Sequence, residues 1–341
     1  MIKLEIDGKR IFPLFVAITK SINNAVGDIQ FEMAGVQPSI KVNSIVKATV
    51  DGEPMVLCRV EQKTATGSES GLVSAFYGRE ITCDLIDSVV PDAAKVFKTG
   101  VTLETMAEKI TQSLGMYTKI INKAGKIEPF SFREKTEADT GQTALDFLTQ
   151  YARKRGVFIN SDGNGNLVFF RLENAPLVKK ELKGTIESSA KIDYSQRFNR
   201  YIVKSQSDIR DDWGTRGSVS IFGEAIDEDI VKSRVFEFQA EETMTKDECK
   251  SRAEEEANIR RARSLSYSAT VFKHGYKIGE VVDVNDKGLE VKGSFLIEEI
   301  VYTQTESNMS CDLKLTWPDA YTLQAEIDAK TARKVNLGKY K

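Results

Sequence analysis

The stretch AFYGREITCDLIDSVVPD, Ala75 to Asp92, places Arg79, Cys83, Asp84 and Asp87 within nine residues. Those residue types could supply a nucleophile, an acid and an anion-holding cation. A cysteine nucleophile acts as the thiolate and needs a base or a cation to make it. The single histidine, His274, stands in a separate segment, so no triad can be assembled from the sequence. The structural alternative is that Tyr77-Gly78 ends a strand, while Leu85, Ile86, Val89 and Val90 anchor the chain as it leaves one folded unit.

Other candidates are weaker. Cys58, Cys83, Cys249 and Cys311 are far apart, with no CxxC and one histidine to supplement them, so no zinc site is expected; four reduced, half-buried residues are. His274 beside Gly275 reads as a loop residue bonded to its neighbours. GNGN, Gly163 to Asn166, lacks the phosphate-loop pattern and joins two strands, which makes it a hairpin turn. The segment from Asp208 to Ile230 gathers acidic residues and glycines around Trp213 but lacks the alternating oxygen ligands of a calcium loop. It reads as a long exposed excursion in which Asp211, Asp212 and Trp213 meet a partner; deleting 210–228 is then expected to spare folding and weaken assembly. No cofactor is indicated.

The elements around these residues divide the 341-residue chain into two or three domains. Lys and Arg nearly balance Asp and Glu, giving a formal charge of −2, which disfavours non-specific binding to nucleic acid or anionic membranes. MIKLEIDGKR alternates like a strand and is not a secretory signal, and the apolar run Ile11–Ile18 contains Pro13 and is too short to span a membrane. A chain made and folded in a cytoplasm is expected.

Residues 1–92 read as hairpins, with Asp51-Gly52 and TGSESG as turns and Val56–Val60 and Leu72–Tyr77 as strands. From 93 to 180 the period changes. Thr102 caps a helix carrying Leu103, Met106, Ala107, Ile110 and Leu114 and ended by Gly115. A second helix, with a capping box at Asp139 and Gln142, carries Ala144, Leu145, Leu148, Tyr151 and Ala152 before a hairpin. Residues 181–318 return to strands around one long helix near 246–263. Thr245 and Glu248 box its start, and its narrow small face is Cys249, Ala253 and Ala257. Lys277–Trp317 repeats the layout seen from Val46 to Gly78: strand, Asp-containing turn, longer strand, polar turn, strand. The stretch 319–341 is either a docking tail or a frayed end.

The blocks YGREITCDLIDSVV, TLETMAEKI, TGQTALDFLTQYARKRGVFINSDGNGNLVF, RFNRYIVKSQSD and YKIGEVVDVND through CDLKLTWPDAY, in that order, resemble the baseplate hub proteins of Mu-type contractile-tailed phages. That family includes late-control-type tail proteins and is related to the N-terminal part of type VI secretion spikes. The resemblance implies a predominantly β, α+β chain with two tail-tube-like β-barrel domains flanking the smaller helix-plus-hairpin domain. It also implies a homotrimeric, quasi-sixfold ring in the virion baseplate, joining a hexameric tail tube to a trimeric spike. DNA would pass only in transit, other baseplate proteins would be partners, and no membrane insertion or catalysis is implied. In such a ring the Cys249, Ala253 and Ala257 face would suit a subunit boundary. From sequence alone two other classes stay open: a cell-wall hydrolase with a carboxylate pair formed in space, and a type VI-like spike component, which would be expected to continue past Lys341 into a needle.

Overall fold

Period-two alternation builds the first strands. In β1 (Ile2–Ile6) the residues Ile2, Leu4 and Ile6 face the core, and after the short β2 (Lys9–Ile11) the same phase buries Val16, Ile18 and Lys20 of β3 (Phe15–Ser21). β4 (Asp28–Ala34), β5 (Ile45–Val50), β6 (Glu53–Ser68) and β7 (Gly71–Glu80) follow. The structure, a computed structural model, describes residues 1–69, 71–130, 136–172, 180–210, 216–240, 245–272 and 275–321. Strand β6 continues through Thr66-Gly67-Ser68, so TGSESG is mostly strand and not turn.

The chain leaves β7 through α1 (Asp84–Asp87) and enters the helical segment. Thr102 caps α2 (Leu103–Ser113), and β8 (Ile120–Asn122) follows. α3 (Ala144–Lys154) is capped by Thr143; Gln142 accepts from the Asp139 amide one turn earlier, so the box expected at Asp139 organises the approach and not the helix start. β9 (Phe158–Ser161) and β10 (Leu167–Phe170) form the hairpin around GNGN, with β8 parallel to β10. The apolar stripes of both helices close one core with Phe130, Ile159, Leu167 and Phe169. The Tyr151 ring meets Phe147 and Phe130 edge-on, at centroid separations of 4.9 and 5.1 Å. Leu85 and Val90 enter this core as expected of anchors, whereas Val89 faces solvent.

After β11 (Lys180–Glu181) and β12 (Thr185–Ile192) come β13 (Arg200–Arg210), β14 (Arg216–Ile226), β15 (Val235–Gln239), α4 (Lys246–Arg263) and β16 (Leu265–Val271). β17 (Val281–Asp286), β18 (Val291–Thr305) and β19 (Met309–Thr316) follow. Two units result. The first comprises Met1–Ser188 and Ser268–Leu315; the second comprises Ser189–Tyr267 and a short segment from Thr316. A 13-stranded sheet runs β12-β16-β19-β18-β3-β4-β7-β6-β5-β1-β2, with β17 on β18 and β11 on β17. The layout repeat foreseen in the sequence is present: β5, β6 and β7 span 6, 16 and 10 residues, and β17, β18 and β19 span 6, 15 and 8.

The second unit has its own sheet, β14-β13-β15, backed by α4. Most of the excursion expected between Asp208 and Ile230 is therefore strand: β13 and β14 pair over eleven positions, from Arg200↔Ile226 to Arg210↔Arg216. Deleting 210–228 would remove β14 and open the core, so the expectation that this leaves folding intact is withdrawn. Alternation is legible in SVSIFGEAI but not in the charged flanks, which hid the strand.

Helix α4 begins with the expected capping box at Thr245 and Glu248. Its small face sits against Tyr201, Val203 and Ala225. A Cβ at Gly223 would overlap the backbone of Cys249 and Lys250, so strand and helix approach at a distance only glycine permits. Gly223→Ala should destabilise the protein by about 1–3 kcal/mol, as overpacking does. Chemical denaturation checks it, and an unchanged midpoint would contradict the packing described.

Candidate functional site

The opening cluster assembles on β6, β7 and α1. Arg79 donates from Nε and Nη2 to Glu61 at 2.7 and 2.8 Å, and from Nη1 and Nη2 to Asp87 at 3.1 and 2.6 Å. Arg59 pairs with Asp84 beside it. Cys83 is buried, its Sγ 3.7 Å from a Glu61 oxygen. Burial pushes its thiol up to about 11, which keeps it protonated at neutral pH, and Arg79 holds the Asp87 carboxyl below the ordinary carboxylate range. Glu61, Cys83 and Asp87 do bring potential ligand atoms within 4.8 Å of one another. Both carboxylates, however, are already bonded to Arg79, and a protonated thiol is a poor metal ligand. The cluster fixes the exit of the chain from β7, as the structural reading has it.

A more buried ion pair escaped the sequence analysis. Lys20, at the end of β3, donates to both oxygens of Glu80 at 3.0 Å and to Ser161 Oγ of β9 at 2.7 Å. The Gly27 amide donates to the same carboxylate at 2.6 Å. A Cβ on Gly27 would press on the Lys20 side chain and the Thr19 carbonyl, so this amide reaches Glu80 because residue 27 is glycine. Both charged side chains are almost fully buried, at 5% and 0% exposure. Asn160 adds a bond from Nδ2 to the Ser21 carbonyl at 3.0 Å. Strand β9 is thereby fastened to β3 and β7. The signal was present: Lys20 and Glu80 continue the buried phases Val16, Ile18 and Phe76, Gly78, where a charge demands a partner.

The second unit has an equivalent. Arg197 holds Asp227 through Nε and Nη2 at 3.0 and 2.8 Å, and Arg261 of α4 donates to the other oxygen at 2.8 Å. Asn199 Nδ2 donates to the carbonyls of Asp227 and Ile230, and Arg260 lies 4.0 Å above the Phe236 ring. The RFNR block is thus the linchpin of a small domain.

Of the residues singled out for an interface, Cys249, Ala253 and Ala257 are buried inside the second unit. The small face is filled by the chain's own sheet, so it cannot also meet a neighbouring subunit. Asp211, Asp212, Trp213 and His274 lie outside the described residues, as does 322–341. All four cysteines are free and fully buried, more than the half-burial expected. Among the described residues no helix is long and apolar enough to cross a membrane.

The chain is predominantly β, and its buried ion pairs are structural. Residues 82–171, which contain the helix-and-hairpin core, match the model of the second domain of gp44-like baseplate hub proteins. The chain is 25% identical, over 279 residues, to baseplate hub protein gp44 of Escherichia phage Mu, covering 78% of this chain and 72% of that one. Its fold superimposes with a TM-score of 0.78 on the 43 kDa tail protein of prophage MuSo2 from Shewanella oneidensis, at 22% identity, covering 94% and 98% of the two chains. The E. coli c3393 protein, described as a component of the type VI secretion system, superimposes at 0.54 with 10% identity, over 95% and 79%. The resemblance read from the sequence holds: the chain is similar to baseplate hub proteins.

Two outcomes check these sites. Glu80→Leu should cost about 3–5 kcal/mol by leaving Lys20 buried and unpaired, and adding Lys20→Met should recover part of that loss; strictly additive losses in urea denaturation would contradict the coupling. Cys83 should resist alkylation in the folded protein at pH 8 and react faster as pH approaches about 11; rapid labelling at pH 8 would mean the thiol is neither buried nor protonated.

Proposed function

We propose that this chain is a baseplate hub subunit of a phage tail: a homotrimeric ring of quasi-sixfold symmetry that joins a hexameric tail tube to a trimeric central spike and lines the path of DNA. The observation that carries it is the duplicated strand layout in a chain similar to baseplate hub protein gp44. Two similar β-units per subunit let three subunits present six similar surfaces to a tube and three to a spike, which is how one ring reconciles both symmetries. In this reading, residues 1–92 and 181–318 supply two tube-like barrels with parts exchanged between them, 93–180 is the inserted domain, and 319–341 is a tail. Asp211, Asp212 and Trp213 contribute to a partner surface. The protein is made in the host cytoplasm and ends in the virion.

Light scattering of the purified protein, alone and with its candidate spike, tests this. The expected mass is three times 38.0 kDa, either for the protein alone or within a three-to-three complex. A monomer indifferent to spike and tube would overturn the ring.

A further inference from the structure

Strand β9 and the turn after it lie across the ends of three strands of the large sheet. Asn160 reaches the Ser21 carbonyl of β3, and Ser161 meets Lys20 beside Glu80 of β7. The turn itself comes down on β6. A Cβ at Gly163 would overlap the Met55 carbonyl, and one at Gly165 would overlap the Ile81 side chain. The turn is seated at both glycines with no room for a methyl group beneath either.

Between those two contacts stands Asn164, and no other asparagine among the 341 residues precedes a glycine. Asn164 is exposed, and Gly165 has a φ of +83°, which its missing side chain permits. Asp162 holds the frame around them. Its carboxylate accepts from the amides of Asn164 and Asn166 at 2.8 and 3.1 Å, and its own amide donates to the Asn166 carbonyl at 3.2 Å. The Gly165 amide donates to no group among the described residues. Attack by this nitrogen on the Asn164 side-chain amide closes a five-membered ring. It has neither a hydrogen bond to give up nor a Cβ to crowd its approach.

We propose that Asn164 is a site of spontaneous deamidation, and that the product lifts the β9–β10 turn from its seat on the sheet. The Gly165 nitrogen gives its proton to a solvent base and attacks the Asn164 side-chain carbonyl carbon. The bond from that carbon to the side-chain nitrogen breaks, ammonia leaves with a proton from solvent, and a succinimide remains. Water adds to one of its two carbonyls and reopens the ring, as aspartate or as isoaspartate. In isoaspartate the main chain runs through Cβ and Cγ of residue 164, one methylene longer than before, and the former main-chain carbonyl becomes a carboxylate. A turn held at Gly163 on Met55 and at Gly165 on Ile81 has no slack for that methylene, so one of the two contacts opens.

The test uses the full chain, aged for days in mildly alkaline buffer and compared with a sample kept mildly acidic, where the Gly165 nitrogen retains its proton. The tryptic peptide from Gly156 to Arg171 should gain the mass difference between an amide and an acid, placed at Asn164 by fragmentation and labelled by an isoaspartyl methyltransferase. Asn164→Gln should keep its mass and its denaturation midpoint under the same treatment. The aged parent should unfold at lower denaturant than the fresh one. Freshly purified Asn164→Asp gains the charge without the longer main chain, and should unfold at a higher midpoint than the fully converted parent. A peptide that stays unmodified, or is modified at Asn160 or Asn166 instead, overturns the site. A converted parent as stable as fresh Asn164→Asp overturns the unseating.

Discussion

Strand β3 is bonded on one side to β4, a few residues downstream, and on the other to β18, near the far end of the chain. The buried pair Lys20–Glu80 sits at its end. Side chains alternate between faces, so a slip of one residue would turn Lys20 away and leave Glu80 buried without its cation. Apolar residues alone would tolerate some repacking, but an unpaired interior carboxylate costs several kcal/mol. The ion pair therefore sets the register in which the two halves of the sheet meet. Ser161 and Asn160 extend the same bonds to the inserted domain.

The two smaller bodies are built differently. The inserted domain is stabilised by apolar area, with two amphipathic helices sharing an aromatic core. The second unit has a slimmer core and relies on close approach and charge: Gly223 admits α4, and Arg197, Arg261 and Asn199 converge on Asp227 and its loop. Helix α4 carries little apolar surface of its own, which is why it needs that contact to persist.

Much of this was legible beforehand. The caps at Thr102 and Thr245, the hairpin at GNGN and the layout repeat follow from local patterns that tertiary contacts did not override. The small face of α4 was recognised as a close-packing surface but assigned to the wrong neighbour, because spacing shows that something approaches and not what. Strand β14 was missed because its alternation is confined to one end. Lys20 and Glu80 were missed because they lie sixty residues apart and each looks like an ordinary polar residue until its phase in the strand is followed. Separation of the second unit depends on which strands pair, a long-range property that no local window contains.

The central claim is that a duplicated sheet makes this chain a ring subunit. Electron cryomicroscopy of the purified protein with its spike, viewed down the assembly axis, addresses it directly. The account predicts threefold rings whose inner wall shows six similar lobes, two from each chain. Single copies bound to the spike, or open filaments with no closed ring, would contradict it.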